Sequence, residues 1–131
     1  KKLKTKYIKP KGNRQFTKPI VLLTSDLTAS AADVFALQAK ELPYVTILGD
    51  YTQGIFSDIY NFKLSNGWKV RLSHQQYFSA DMKNYEGIGV EPHVKLLNEP
   101  EDITNGIDPL IAKAIEILNK KTAAKEIHKK Q

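Results

Sequence analysis

The chain has 131 residues, which is enough for one domain, or part of one, with a modest hydrophobic core. It contains no cysteine, so a disulfide framework and a thiolate metal site are both excluded. Its net charge of +6 is uneven, because positions 1–18 hold eight Lys and Arg residues and all 14 acidic residues follow them. The longest uncharged apolar run, residues 19–23, is too short to cross a bilayer, so no membrane-spanning segment is predicted.

Residues 1–18 are predicted to form a basic extended arm or linker. Residues 10–13 are a turn signature between two short extended pieces, which favours an arm or a hairpin over a helix. Such an arm has the charge to contact nucleic acid or an anionic surface. Aromatic residues are sparse there and no nucleic-acid-binding motif accompanies them, so no nucleic-acid partner is expected.

Residues 19–98 carry the patterns of an α/β domain. Residues 20–24 form a short apolar run, as expected of a strand that is buried on both faces. Residues 29–42 place small and apolar side chains at three- and four-residue spacing, and Pro43 closes this predicted helix. Residues 44–48 are a second apolar strand, which predicts a right-handed parallel strand–helix–strand unit.

A β-hairpin is predicted next, because two alternating segments flank a turn signal. The segments are residues 57–64 and 68–72, and Asn66 and Gly67 lie between them. The second strand is expected to extend to residues 77–78. Residues 90–97 are predicted to be extended, and Pro92 favours an edge position for this segment.

Residues 99–131 are predicted to be a linker followed by a C-terminal helix with a basic tail. The run at 98–102 is polar and typical of a solvated linker. Asp108 is a plausible N-cap, with Pro109 at the first helical position. Beyond Asn119 the sequence is basic and weakly amphipathic, so residues 120–131 are expected to fray.

Ser30 lies at the predicted joint between the first strand and the helix. The unpaired N–H groups at a helix N-terminus can hold a developing oxyanion, so this position suits a nucleophilic serine. The Ser-x-x-Asp spacing to Asp33 suits a helix cap equally well. On the spacing alone, the cap is the preferred interpretation.

Five segments change that preference through their order along the chain, which is more specific than any single short motif. They are residues 19–24, 28–33, 48–54, 64–68 and 85–92. Together they resemble the C-terminal processing (tail-specific) peptidase superfamily, especially its branch similar to the tricorn core protease and the interphotoreceptor retinoid-binding protein. The resemblance implies a crotonase-like α/β fold, with residues 19–98 as the C-terminal half of a catalytic domain.

Under this resemblance Ser30 matches the nucleophile, and the backbone N–H of Ala31 represents the oxyanion hole. Members with a serine–lysine dyad carry the lysine after the loop glycine, where this chain has Ile55, so that dyad is excluded. The tricorn-like branch resembles a serine–histidine–glutamate arrangement in which Glu86 is the match. Glu86 would accept a hydrogen bond from the histidine; without the resemblance it would be interpreted as an exposed loop carboxylate.

The loop after the second strand, residues 49–54, is where the fold brings strand ends toward the active site. Gln53 and Gly54 are therefore predicted to bind substrate. Glycine there allows unusual backbone angles or a close approach of substrate, and ordinary turn chemistry is an equally good explanation.

The histidines do not complete the site. The family's catalytic histidine, its partner serine and a second oxyanion donor lie upstream of the nucleophile strand, and none is visible in residues 1–18. His74, His93 and His128 could each act as a base, but each is better explained as a solvated or structurally satisfied histidine. No two histidines fall at metal-ligand spacing and the acidic residues are scattered, so neither a metal nor another cofactor is predicted.

The function that the resemblance implies is that of a serine endopeptidase acting on peptide or protein substrates through an acyl-enzyme. An extracytoplasmic location, periplasmic or envelope-associated, is implied with it. The isolated chain is expected to be inactive, because parts of the site are missing. Two alternatives stay open: a non-catalytic module of the same fold that binds a peptide or an apolar ligand, and a nucleic-acid-binding fragment that uses the basic arm.

Overall fold

The computed structural model describes residues 3–5, 7 and 9–128, with side chains up to residue 123. Five strands and three helices lie in this part of the chain. In order they are β1 (Ile20–Thr24), α1 (Ala31–Lys40), β2 (Val45–Gly49), β3 (Ile59–Lys63), β4 (Lys69–Ser73), β5 (Val94–Lys95), α2 (Pro100–Thr104) and α3 (Pro109–His128).

A parallel three-stranded sheet in the order β1-β2-β5 confirms the predicted α/β architecture. β1 and β2 pair along their full length, from Ile20 opposite Val45 to Thr24 opposite Gly49. α1 connects them, as the strand–helix–strand prediction requires. β5 contributes only two residues and lies at the edge of this order, where Pro92 predicted it.

Helices pack on both faces of the sheet. Successive residues of a strand point to opposite faces, and β2 shows this clearly. Val45 and Ile47 join the buried cluster that includes Ala36, Leu37 and Ala39 of α1. On the other face, the Nζ of Lys121 in α3 donates a hydrogen bond of 2.6 Å to the hydroxyl of Thr46. β2 is consequently buried at all five positions.

The hairpin of β3 and β4 forms a separate two-stranded sheet. Its register runs from Ile59 opposite Ser73 to Lys63 opposite Lys69, and Gly67 has a positive φ in the connecting turn, as predicted. The predicted extension to residues 77–78 is wrong, because β4 ends at Ser73. Tyr77 instead packs against Phe56, with ring centroids 6.5 Å apart.

The helix ends differ from the predictions in three places. α1 begins at Ala31, not at residue 29, because Ser30 has a φ of 59° that no right-handed helix accommodates. The predicted linker contains a short exposed helix, α2. α3 starts at Pro109 with the Asp108 carboxylate accepting the N–H of Ile111 at 3.1 Å, as predicted, but it continues to His128 instead of fraying from residue 120. Residues 129–131 lie outside the described part.

The described residues of the basic arm are irregular and exposed, and they form no strand. One local contact is the side-chain amide of Gln15, which donates to the carbonyls of Lys11 and Gly12. Residues 1, 2, 6 and 8 of the predicted arm lie outside the described residues. None of the described helices is long and apolar enough to cross a bilayer.

Candidate active site

Ser30 occupies a strained turn between β1 and α1. Its φ of 59° and ψ of −118° lie outside the regions that a serine normally adopts. Such a conformation costs on the order of 1–3 kcal/mol and persists only where surrounding contacts enforce it. A strained strand-to-helix turn presents the nucleophilic serine in the α/β-hydrolases. The residue is exposed.

The contacts of Ser30 bear on both the nucleophile and the cap interpretations. Asp33 Oδ2 accepts the backbone N–H of Ser30 at 2.7 Å, which is the carboxylate half of a capping box. The other half, in which the Ser30 side chain faces the backbone N–H of Asp33, is also in place, although the Ser30 side chain makes no full cap hydrogen bond. The cap that the spacing predicts is therefore present, and the role of Ser30 as a nucleophile stays a prediction.

The helix N-terminus also leaves a donor free. The N–H of Ala31, the first residue of α1, finds no acceptor within the described part of the chain. It borders the same cleft as Ser30, a cavity of about 230 Å³. The lining residues are Ser30, Ala31, Val34, Phe56, Asp58 and Tyr77. Ser30 and a free backbone donor thus open onto one small cleft that polar and apolar groups line in similar measure.

Glu86 is brought to the segment that borders this cleft. Its Oε2 accepts the backbone N–H of Phe56 at 3.1 Å. The next residue, Gly87, donates its N–H to the carbonyl of Gly54 at 2.8 Å. These two bonds attach the loop of Glu86 to the loop that follows β2. Glu86 itself is exposed, so its second carboxylate oxygen is accessible to a further donor.

The two predicted substrate-binding residues have different surroundings. Gly54 is buried, its N–H donates to Asp33 Oδ1 at 3.0 Å and its carbonyl accepts from Gly87. A Cβ at Gly54 would stand 2.6 Å from the backbone nitrogen of Gly89, so the approach of two loops is sufficient reason for the glycine. Gln53 is exposed, and its N–H is held by the carbonyl of Thr28 at 2.8 Å. Substrate binding by either residue stays a prediction.

His93 is hydrogen-bonded to β2 through both its ring and its backbone. Its Nδ1 accepts the N–H of Ile47 at 2.9 Å, and its own N–H donates to the carbonyl of Ile47, also at 2.9 Å. Partial desolvation of the ring lowers the pKa of His93 below its ordinary value, and the positive charges of Lys40 and Lys121 lower it further. His93 is therefore held as a neutral acceptor, in agreement with the structural interpretation.

His74 also has partners for both ring nitrogens. Nδ1 lies 2.9 Å from the carbonyl of Asp58, which can only accept, so Nδ1 carries the proton. Nε2 is then the acceptor for the side-chain amide of Gln75, at 3.2 Å. The ring packs edge-on against Tyr60, with centroids 6.1 Å apart. The side chain of His128 lies outside the described residues.

A larger cavity of about 550 Å³ lies beside the C-terminal end of α1 and shares no lining residue with the Ser30 cleft. Its wall includes an ion pair between Lys83 and Asp81, with Nζ and Oδ2 2.9 Å apart. It offers no serine or histidine, so the smaller cleft is the better candidate site. Across the described residues, no group of three His, Asp or Glu side chains could hold a metal ion.

Two features of the site lie outside the sequence predictions. The spacing to Ser30 predicts only a cap role for Asp33, although Asp33 shares a three- and four-residue spacing with the buried Ala36 and Leu37 and so lies on the inner face of α1. The strand predicted through Tyr77 does not place this residue beside Phe56. Periodicity indicates the burial of Asp33, whereas the position of Tyr77 depends on tertiary contacts.

Comparison with known proteins identifies one peptidase family. The family model described as Peptidase family S41 matches residues 1–96. The chain is 32% identical over 88 residues to the carboxy-terminal processing protease CtpA of Bacillus subtilis. This alignment covers 67% of the chain and 19% of CtpA. It is 30% identical over 104 residues to the tricorn protease of Thermoplasma volcanium, covering 76% of this chain and 10% of that protein.

Solved structures show the same relationship. The structure of mature CPAF complexed with lactacystin matches with a TM-score of 0.69 and 26% identity, covering 92% of this chain and 23% of that chain. The chain thus spans about a fifth of CtpA and a tenth of the tricorn protease. The predicted resemblance to the C-terminal processing peptidases is confirmed, and the chain belongs to peptidase family S41.

Proposed function

We propose that this chain is the C-terminal part of the catalytic domain of a serine peptidase, with Ser30 as its nucleophile. The observation that carries the proposal is the strained conformation of Ser30, an exposed residue whose φ of 59° lies directly at the N-terminus of α1. An N-cap residue normally has an extended backbone, so capping alone does not require a positive φ at Ser30. The peptidase family of the chain supports the same reaction class.

The reaction assigns a role to each group around Ser30. The Ser30 oxygen attacks the peptide carbonyl carbon while a base removes its proton, and the carbonyl oxygen becomes an oxyanion. The free N–H of Ala31 donates to that oxyanion. Collapse of the intermediate expels the amine, which takes the proton from the base, and water then hydrolyses the serine ester. Ser30 is thereby regenerated.

We infer that the base comes from outside the described residues, because both ring nitrogens of His74 and the Nδ1 of His93 already have hydrogen-bond partners and the family's histidine lies upstream of the nucleophile strand. We assign this role to a histidine upstream of β1. Glu86 accepts a hydrogen bond from that histidine and stabilises its charged form, while its other oxygen holds the N–H of Phe56. Gln53 contacts the substrate from the adjoining loop.

The substrates in this proposal are peptides or proteins, and the site uses neither a metal nor another cofactor. An extracytoplasmic location, as the resemblance implies, is part of the proposal. A peptide substrate binds in an extended form beside a sheet edge, where backbone hydrogen bonds give affinity without demanding one sequence.

Hydrolysis of a fluorogenic peptide tests the proposal in a polypeptide that joins this chain to the upstream part of the family's domain. Ser30→Ala should lower kcat by several orders of magnitude with folding intact, because the nucleophile is lost. Ser25→Ala is the matched control, since Ser25 lies in the same turn but its hydroxyl accepts the N–H of Leu27 at 3.2 Å. Retention of most activity by Ser30→Ala would refute the assignment.

A non-catalytic binding module is the second candidate. No histidine is among the residues that line the Ser30 cleft in the described part of the chain, which favours a binding module over an autonomous enzyme. Titration of the same polypeptide with an uncleaved peptide separates the candidates. Binding without turnover, unaffected by Ser30→Ala, would identify a binding module.

A further inference from the structure

We propose that Asp33 is a positioning residue, whose carboxylate holds Ser30 in its strained conformation and ties it to the loop that contacts Glu86. This inference rests on the peptidase function proposed above. It extends that function to a residue which does not touch the substrate. The carboxylate accepts three backbone N–H groups, from Ser30 at 2.7 Å and from Gly54 and Ile55 at 3.0 Å each.

The burial of Asp33 is more than a helix cap needs. The residue is fully buried, with 0% exposure, and no ion pair reaches it among the described side chains. Burying a carboxylate is unfavourable unless hydrogen bonds or an opposite charge compensate it. Here three N–H donors and the positive end of the α1 dipole do so. This arrangement fixes the carboxylate, and with it each donor that it accepts.

Asp102 shows what an ordinary cap of this kind requires. Its Oδ2 accepts the N–H of Glu99 at 2.9 Å, the same bond that Asp33 makes to Ser30. Asp102 is only half-buried, its bond lies at the exposed surface and α2 has no buried residue. The additional bonds of Asp33, to Gly54 and Ile55, therefore serve a purpose other than starting the helix.

These bonds link the proposed nucleophile to the proposed glutamate. Oδ2 of Asp33 accepts from both Ser30 and Ile55, so one oxygen fixes the two backbones relative to each other. The next residue after Ile55 is Phe56, whose N–H is held by Glu86 Oε2. A rotation of the Ser30 peptide would break the bond at Oδ2. Asp33 thereby sets the direction of the Ser30 side chain with respect to the Glu86 loop.

Asp33→Asn tests this role with almost no change of shape. An asparagine retains one acceptor oxygen, while its NH₂ group faces N–H donors and cannot accept them. At least one of the three bonds is lost, and Ser30 is released toward an unstrained φ. Misplacement of a reacting group by about 1 Å can lower a rate by about 10²-fold. We expect a fall in kcat of that size with KM unchanged.

Two control variants separate positioning from stability. Asp102→Asn makes the same change of charge at the equivalent cap in α2 and should leave kcat unchanged. Val45→Ala destabilises the core away from the cleft and is compared with Asp33→Asn at temperatures well below both unfolding transitions. In addition, amide hydrogen exchange on the 131-residue chain reports the bonds themselves, because loss of an acceptor speeds exchange at Ser30, Gly54 and Ile55.

The outcomes are distinguishable. A fall in kcat for Asp33→Asn alone, with faster exchange at Gly54 and Ile55, supports the proposal. Equal kcat values for Asp33→Asn and the unchanged protein, or an equal fall in Val45→Ala, would overturn it. If the unchanged polypeptide shows no turnover and Ser30→Ala makes no difference, the peptidase function itself is refuted, and the positioning role is refuted with it.

Discussion

Substitution of Gly89 by alanine should damage this protein far more than substitution of Gly87, although the two glycines are two residues apart and both have positive φ values, 84° and 74°. A Cβ at Gly89 would stand 1.9 Å from the carbonyl oxygen of Thr52, whereas a Cβ at Gly87 meets no atom within 4 Å. The difference between the two variants therefore isolates the close approach of the loops from the cost of the backbone conformation.

The magnitudes follow from these contacts. A left-handed conformation costs an alanine about 1–2 kcal/mol, which is the whole effect expected for Gly87→Ala. Gly89→Ala must also displace Thr52, whose N–H donates to the carbonyl of Val90 at 3.2 Å and whose hydroxyl accepts the N–H of Val90 at 2.7 Å. Each bond contributes about 1 kcal/mol, so Gly89→Ala should lower the free energy of unfolding by about 3–4 kcal/mol.

Urea unfolding followed by far-UV circular dichroism measures both variants. In thermal unfolding, a loss of 1 kcal/mol in the free energy of unfolding lowers Tm by about 4 °C for a chain of this size. We therefore expect Tm to fall by about 4–8 °C in Gly87→Ala and by more than about 12 °C in Gly89→Ala. Equal losses of stability in the two variants would show that the loops at residues 52 and 89 do not approach as closely as described, and the attachment of the Glu86 loop would then need a different explanation.

Three further predictions concern charge and reactivity. Partial desolvation and neighbouring lysines lower the pKa of His93, so its contribution to stability is complete above about pH 6.5 and is lost as the pH falls through the native pKa. His93→Gln should flatten that dependence in urea titrations from pH 8 to 4. Lys113 and Lys120 lower the pKa of Glu116 from its ordinary value of 4.5 to about 2, so NMR titration should find the carboxylate still ionised well below pH 4.5. Salt at 1 M screens the two lysines and should raise the pKa of Glu116 toward its ordinary value. The 131-residue chain alone should not react with a fluorescent phosphonate, because general-base assistance, worth about 10²–10⁴-fold, is missing; labelling that disappears in Ser30→Ala would contradict this.

The elements that the sequence predicts well are those set by neighbouring residues. The apolar run of β1, the small-residue periodicity of α1 and the Asn66-Gly67 turn are local signals, and each element forms where they indicate. The start of α3 at Pro109 is likewise local, because the Asp108 cap and the proline act within one turn. Local patterns are sufficient for these elements because few alternatives compete with them.

The site depends on contacts between distant parts of the chain, and these were only partly predictable. Asp33 contacts residues 21 and 22 positions away, and His93 contacts Ile47 at a separation of 46. No periodicity shows such pairings, so the sequence predicts only the cap role of Asp33. The family resemblance singled out Ser30 and Glu86, but it gave no indication of the strained φ of Ser30 or of the contact between Glu86 and Phe56.

The most direct test of the central claim, that Ser30 is a peptidase nucleophile, is to locate a covalent adduct. A polypeptide that joins this chain to the upstream part of the family's domain is treated with a serine-directed phosphonate, digested and analysed by tandem mass spectrometry. We predict a single adduct on Ser30 that is lost in Ser30→Ala and retained in Ser25→Ala. An adduct on a different residue, or no adduct in a folded protein that hydrolyses peptides, would contradict the assignment of Ser30.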